Sequence, residues 1–411
     1  MFKTIINAWK IADLRKKMLF TALIVFIFRL GAALPVPFVN ISGGLISDQN
    51  ANNFMTYLSM MTGDAFNYGT LFAMSITPYI NASIIIELLT VAIPALERLA
   101  KEGEEGRKKI STITRYSSVV LALMQSTAYY FYIRSQNYLS LDADGNKFTG
   151  FFAVLQAITI IFCYTAGASL IMWLGEQITE FGIGNGISII LFASIVSRFP
   201  PSLYQMITNT VNGTVAWWVN VLLLLGALAM IVLIVLINDS ERRIPVQYAK
   251  RQVGRKMYGG QASTLPMKVN MSGVLPIIFA QSIATLPATI AAFTGHSDSA
   301  WASTTSIPYA IIYFLLIIFF AYFYSTIQFN PVEIANNLKK QGGFIPGFRP
   351  GQPTVQFIQK VLNRITMFGA IYLGIVAICP LIVGKIIDNS SLAIGGTSVI
   401  IVVGVALETV K

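Results

Sequence analysis

Runs of about 20 apolar residues, the length that crosses the hydrocarbon core of a bilayer, recur along the whole chain. They fall at 18–36, 74–94, 114–134, 151–172, 216–237, 271–293, 307–327, 365–384 and 393–410. A tenth run, near 183–199, is shorter and starts in glycines. A soluble domain carries about 25% charged residues. Here 11% are charged, 55% are hydrophobic, and the mean hydropathy is +0.66. Lipid is therefore the solvent, and the 411 residues read as one all-α membrane domain of ten transmembrane helices, where length alone would allow two or three soluble domains.

The net charge of +11 has a location. With the N-terminus inside and the spans alternating, 24 of the 29 Lys and Arg lie in or beside the inside segments 1–17, 95–113, 173–182, 238–270, 328–364 and the C-terminal end. Arg134, Lys147, Arg198 and Lys385 fall outside, and Arg29 lies within a span. The positive-inside rule then places both termini in the cytoplasm. Without the short fifth helix, 238–270 and 328–364 would carry twelve cations on the outer side, so a crossing is required there.

Several chemistries drop out. Cys163 and Cys379 sit within predicted spans, and the only histidine, His296, lies in an outer loop. A histidine-based triad, a disulfide framework and a metal cluster are excluded, and no catalytic residue, metal site or cofactor is expected. Arg15, Lys16 and Lys17 before an apolar run mimic a signal peptide. That run is of span length and nine more follow, so no cleavage is expected.

Residues 1–17 read as an amphipathic helix on the inner leaflet, with Phe2, Ile5, Ile6, Trp9 and Leu14 on one face. Ten spans with both ends inside divide into halves at 18–199 and 200–411, and five spans per half permit two inverted repeats around a central pore. Two inside loops carry structure. In 238–270, Ile244-Pro-Val246-Gln-Tyr248 alternates, with turns at Gly254 and Gly259–Gly260. This predicts a β-ribbon bearing Arg242, Arg243, Lys250, Arg251, Arg255 and Lys256. In 328–364, Asn330 with Pro331 and Glu333 predicts a capped helix ending at Gly342–Gly343. A stiff segment then holds Arg349 among Pro346, Pro350 and Pro353. Solvated topology charge accounts for many of these cations. Topology requires no hairpins or capped helices, and a docking platform for a partner with an acidic surface accounts for those.

Away from the ends of the spans, Glu87 is the one carboxylate and Arg29 the one cation, a poor basis for an ion relay; each reads as snorkelling or structurally hydrogen-bonded. The run Gly182-Ile-Gly184-Asn-Gly186 lacks a preceding strand and a P-loop lysine, so it shapes the start of the fifth helix and binds no nucleotide. Asn212-Gly-Thr214 matches a glycan acceptor that matters only in a secretory lumen. The outer segment 37–73 turns apolar from Met60 to Phe72. Two readings stand: a short helix folded back into the membrane domain, or an interfacial helix resting on lipid.

Nine stretches stand out along the chain: Thr77-Pro-Tyr79-Ile-Asn-Ala-Ser83-Ile-Ile-Ile86, Trp173-Leu-Gly-Glu-Gln-Ile-Thr179, Gly182-Ile-Gly-Asn-Gly-Ile-Ser188, Tyr248-Ala-Lys-Arg251 and Leu265-Pro-Met-Lys-Val-Asn270, then Phe329-Asn-Pro331, Asn337-Leu-Lys-Lys340, Arg349-Pro-Gly351 and Gly395-Gly-Thr-Ser398. In these residues and in their order the chain resembles the SecY family. The resemblance implies a channel of the bacterial cytoplasmic membrane that passes unfolded secretory chains across and releases membrane helices sideways. By motif position it implies a pore ring of Ile76, Ile80, Ile187, Leu191, Ile278 and Ile401. It implies a plug near 58–68 with Thr62, Gly63, Asp64, Ala65 and Phe66, and a lateral gate with Asn81, Ser83, Gln125, Gln281 and Ser282. Docking of the SecA motor ATPase or the ribosome falls on Arg243, Lys250, Arg251, Arg255, Lys256, Lys339, Lys340 and Arg349. SecE-like and SecG-like small subunits, signal peptides and anionic lipids complete the implied partners.

Three positions depart from the family pattern. Glu87 stands where the family has glutamine, Gly63-Asp64-Ala-Phe66 replaces Gly-Gly-Ala-Leu, and the chain stops at Lys411, where relatives continue into a basic tail. The rival reading, a small-molecule secondary transporter with inverted repeats, requires polar groups converging at the midplane. The spans offer mostly aliphatic residues. A scaffold role fits the basic loops but not the spans punctuated by glycine and proline.

Overall fold

A computed structural model describes residues 9–41, 44–45, 59, 61–140, 148, 150–213, 216–248, 251–253, 256–258, 262–270, 273–285, 287, 306–387 and 395–410. The fold is mostly helical, and each of the ten apolar runs contains helix among the described residues. Among the described residues, five helical stretches are long and apolar enough to cross a membrane, six if a bent pair counts as one span. Two compact units divide the chain: residues 1–220 with 285–304 and 405–411, and residues 221–284 with 305–404.

The first unit starts with α1 (Ala12–Ala33). Residues 12–17, expected on the interface, continue directly into this helix; residues 1–8 lie outside the described residues. α1 stops before Pro35, which disfavours helix at Leu34. α2 (Thr77–Ala92) and α3 (Pro94–Lys101) meet at 100°, because Pro94 cannot continue the hydrogen-bond ladder of α2. On α3, Lys101 bonds Glu97 at 2.6 Å and holds its carboxyl below the usual range. α4 (Glu104–Ser135) and α5 (Phe151–Phe181) follow, then α6 (Gly186–Ser197) and α7 (Phe199–Val211).

α5 turns into α6 through the glycine run. A Cβ on Gly186 would lie 1.8 Å from the Gly175 carbonyl oxygen, so only glycine permits this approach. The Thr179 hydroxyl accepts from the Gly186 amide, and Asn185 caps α6 by accepting from the amides of Ile187 and Ser188. The glycines therefore shape the fifth span as their spacing predicts. Phe66, Met74, Tyr129, Ile133, Ile160 and Tyr164 form the core of this unit with their neighbours.

The second unit contains most of α8 (Trp217–Asn238), the strands, α9 (Leu275–Ala284), α10 (Ile307–Gln328), α11 (Pro331–Lys340), α12 (Gln352–Ile387) and most of α13 (Gly395–Val410). The β-ribbon forms as expected: β1 (Glu241–Tyr248) pairs antiparallel with β4 (Ala262–Lys268), with Ile244 opposite Leu265. β2 (Arg251–Val253) and β3 (Lys256–Tyr258) make a hairpin. β5 (Gly343–Phe344) adds to the free edge of β1 and gives the order β4-β1-β5. The Asn330 side chain caps α11 by accepting from the amides of Val332 and Glu333.

The two loops expected to carry structure are one body. Ile244, Val246 and Met267 of the sheet pack with Ala335 and Leu338 of α11, with Ile345, and with Ile358 and Leu362 of α12. α12 begins at Gln352 and not near 365, and its 36 residues make about 54 Å of helix. That exceeds the hydrocarbon core of about 30 Å, so its first turns serve the sheet and its later turns the membrane. Within the bundle, α10 packs on α12 through Gly374, where a Cβ would lie 2.4 Å from the Phe314 ring, and through the 2.8 Å hydrogen bond between Ser325 and Thr366.

Candidate functional site

The segment after α1 returns into the first unit. Ser59, Met61, Thr62, Ala65 and Phe66 are all at most 7% exposed. Folding back is therefore the reading that holds, and the interface alternative fails for these residues. Ser59 and Met61 are helical, as the short helix expected there requires, but residues 62–69 are turns and not its continuation. Gly63, Asp64 and Gly69 have φ of +64°, +71° and +60°, and Ser75 before α2 has +46°. Left-handed residues at this spacing interrupt a right-handed ladder. Positions 46–58 and 60 lie outside the described residues.

Two tyrosines hold the backbone of this segment. The Tyr164 hydroxyl donates to the Gly69 carbonyl at 2.9 Å, and the Tyr129 hydroxyl donates to the Phe66 carbonyl. The Phe66 ring lies 4.7 Å from the ring of Tyr129, which meets Tyr164 edge-on at 5.1 Å. Thr62 accepts from the Phe66 amide at 3.1 Å. The Asp64 carboxylate meets Arg198 at 2.9 Å and accepts from the Ser59 hydroxyl at 2.8 Å. Neither tyrosine nor Arg198 was marked by sequence reasoning. A lone aspartate in an apolar stretch, with Arg198 beyond a short span, was the available signal.

The aliphatic residues fall as follows. In the first unit Ile76, Ile80 and Leu191 are buried and Ile187 is half-buried. In the second, Ile401 is buried and Ile278 half-buried. Ile76 and Ile80 are one helical turn apart at the start of α2, as are Ile187 and Leu191 on α6, so each pair faces one way. Among the polar residues expected at a gate, Asn81 and Ser83 on α2 and Gln125 on α4 are half-buried, on helices that pack together. On α9, Gln281 is buried and accepts from the Tyr313 hydroxyl at 3.5 Å, and Ser282 donates to the Ile278 carbonyl. Glu87 is half-buried, and the Arg115–Glu176 ion pair at 2.6 Å ties α4 to α5.

Of the cations expected to dock a partner, Arg243, Lys339, Lys340 and Arg349 lie on the sheet-and-helix body. Arg243 is exposed beside Glu241 at 3.7 Å, and Lys339 and Lys340 are exposed in the last turn of α11. Arg349 is exposed, and its carbonyl accepts from the Thr354 hydroxyl at 2.8 Å. The neighbouring Phe348 ring packs on Phe357 at 4.2 Å, which pins the loop to α12. Arg251 and Lys256 belong to the β2–β3 hairpin; Lys250 and Arg255 lie outside the described residues. Among the described residues no group of His, Cys, Asp and Glu is placed to hold a metal.

This fold is that of the protein-conducting channels. It matches a solved SecY protein whose plug domain is described as stabilising the closed translocation channel and maintaining a membrane seal, with a TM-score of 0.63 at 16% identity over 96% of this chain and 90% of that one. Canine Sec61 in a ribosome–channel complex from the endoplasmic reticulum matches with a TM-score of 0.63 at 17% identity, over 96% of this chain and 90% of that one. The chain belongs to the SecY family: the family model described as SecY matches residues 70–410. The protein translocase subunit SecY of Streptomyces scabiei is 43% identical over 423 residues, covering 100% of this chain and 96% of the relative. The chain is thus a multi-pass, non-enzymatic channel subunit through which polypeptides cross a membrane.

Proposed function

We propose that an unfolded polypeptide passes Ile76, Ile80, Ile187 and Leu191 of the first unit and Ile278 and Ile401 of the second, and that the segment 58–68 closes this path at rest. The burial of Ser59, Met61, Thr62, Ala65 and Phe66 carries this reading. The plug role described for the solved SecY relative supports it. Aliphatic side chains dewet a narrow passage and so exclude ions, and they offer no hydrogen bond that would hold a sliding chain. Signal peptides and membrane helices leave sideways past Asn81, Ser83 and Gln125 on one side and Gln281 and Ser282 on the other.

The basic body docks the SecA motor or the ribosome through Arg243, Lys250, Arg251, Arg255, Lys256, Lys339, Lys340 and Arg349. The ribosome-bound state described for canine Sec61 favours this use of the surface. The positive-inside charge pattern puts that body and both termini in the bacterial cytoplasm. It also favours anionic lipids at the inner leaflet. SecE-like and SecG-like subunits complete the assembly.

A precursor arrested in transit tests the path. Photoreactive residues at Ile80 and at Ile278 should both label it, whereas one at Leu228, on the exposed face of α8, should not. Labelling from Leu228 alone would overturn the assignment.

A further inference from the structure

The turn at 62–64 sits in a polar seat that its apolar surroundings do not explain. Asp64 Oδ1 lies 2.9 Å from Arg198 Nη2 and accepts from the Ser59 hydroxyl at 2.8 Å. The Asp64 and Arg198 side chains are each 25% exposed. A Cβ on Gly63 would stand 2.9 Å from Arg29 Nη1, 2.9 Å from Ser197 Oγ and 3.1 Å from the Ser194 carbonyl oxygen. The turn therefore presses against both α1 and the end of α6, with Gly63 at its closest point.

Two guanidinium groups share this seat with one carboxylate. Nη1 of Arg29 and Nη1 of Arg198 are buried and make no hydrogen bond. Charges removed from water persist only when an opposite charge faces them. Asp64 is the one carboxylate in the turn. It takes up a left-handed φ of +71° to present its oxygen to Arg198, a conformation that aspartate tolerates better than most side chains. Arg198 is itself the C-terminal cap residue of α6, where a cation also meets the negative end of the helix dipole.

We infer that Asp64 and Arg198 form an electrostatic latch that seats the plug, with Arg29 as the second cation that makes the carboxylate indispensable. The inference rests on the plug reading of 58–68. These are positioning residues: they fix how much a signal sequence must contribute before the channel opens. The pair is asymmetric. Losing Asp64 leaves two cations under the turn with no counter-charge, whereas losing Arg198 leaves Asp64 with the Ser59 hydroxyl and a neighbouring arginine. The carboxylate is the more sensitive half.

The test uses the complete channel with its small membrane subunits, reconstituted into lipid. Asp64→Asn should raise resting ion conductance, and transport of a precursor with a defective signal sequence, by about fivefold or more, as expected for a largely buried pair broken on one side. Arg198→Gln should do the same more weakly, Arg198→Lys should stay near wild type, and the double variant Asp64→Asn/Arg198→Gln should be no worse than Asp64→Asn. The exchange Asp64→Arg/Arg198→Asp should recover most of the closure. Wild-type conductance and stringency in assembled Asp64→Asn would overturn the latch, as would equal behaviour of Arg198→Gln and Arg198→Lys if Asp64→Asn fails to assemble. A separate lock reports on the plug reading itself. In a background of Cys163→Ser and Cys379→Ser, an oxidised Gly63→Cys/Ser197→Cys pair should block translocation until reduced. An oxidised pair that leaves translocation intact would remove the plug reading, whatever the charge variants do.

Discussion

The hydroxyl of Tyr129 donates to the carbonyl of Phe66 at 2.6 Å, across 63 residues of sequence. Within its turn the Phe66 carbonyl accepts from the Gly69 amide at a longer 3.3 Å, and Tyr129 is completely buried on α4. One side chain of a transmembrane helix thus adds a second, shorter hydrogen bond to a carbonyl of an irregular segment that sits at depth. Tyr129→Phe keeps the ring stacking and removes that donor. It should cost about 1–3 kcal/mol of local stability, read as a lower thermal midpoint of the detergent-solubilised complex and a higher resting conductance. Tyr132→Phe, on the same helix, serves as the control and should leave both unchanged.

The aliphatic residues should form the ion seal. Ile80→Asn or Ile278→Asn places an amide where a hydrocarbon excludes water. Each variant should raise resting conductance in a planar bilayer and relax signal-sequence selectivity. Both variants at the wild-type leak would return these isoleucines to ordinary core packing.

Gly186 sets the approach of α6 to α5. With a Cβ placed 1.8 Å from the Gly175 carbonyl oxygen, Gly186→Ala must drive the two backbones apart. Overpacking of this kind costs about 1–3 kcal/mol, so the variant should accumulate poorly and unfold at lower temperature. Gly226→Ala, on α8, where a Cβ meets nothing within 4 Å and the backbone is not left-handed, is the control and should accumulate normally.

Arg349 should act in transport and not in folding. Its side chain is exposed, its loop is pinned by Thr354 and by Phe348 on Phe357, and its guanidinium offers five donors in a rigid fork. A loop already held in place loses little entropy on docking. Arg349→Glu should insert and assemble normally yet fail to translocate a secreted precursor, with Arg349→Lys partly defective and Lys101→Glu nearly silent. Normal secretion by Arg349→Glu at normal abundance would return the loop to solvated surface.

The spans, the short fifth helix and the Asn330 cap were legible because each follows from local chemistry: apolar length, charge asymmetry, and a side chain reaching the next amides. The merger of the two loops was not. Met267 and Ile358 meet in one cluster although 238–270 and 328–364 are separated by two spans, and no local pattern encodes that contact. The early start of α12 was missed for a related reason. Residues 352–364 set Val355, Ile358 and Leu362 at helical spacing toward the sheet among polar side chains, and a search for apolar length passes over them. In the segment 58–68, apolar composition left the fold-back and the interfacial helix both open, and the turns, which follow from four left-handed residues, carried no local signal. The Asp64–Arg198 pair joins a segment before the second span to the end of the fifth, and only the folded chain brings them together.

Passage of polypeptide is tested most directly in sealed vesicles containing the purified chain and its small subunits, with SecA, ATP and an unfolded secretory precursor outside. The precursor should become resistant to added protease at full length and regain sensitivity when detergent opens the vesicles. Precursor that stays fully degradable while the same vesicles accumulate a small solute would contradict this function and favour the transporter reading.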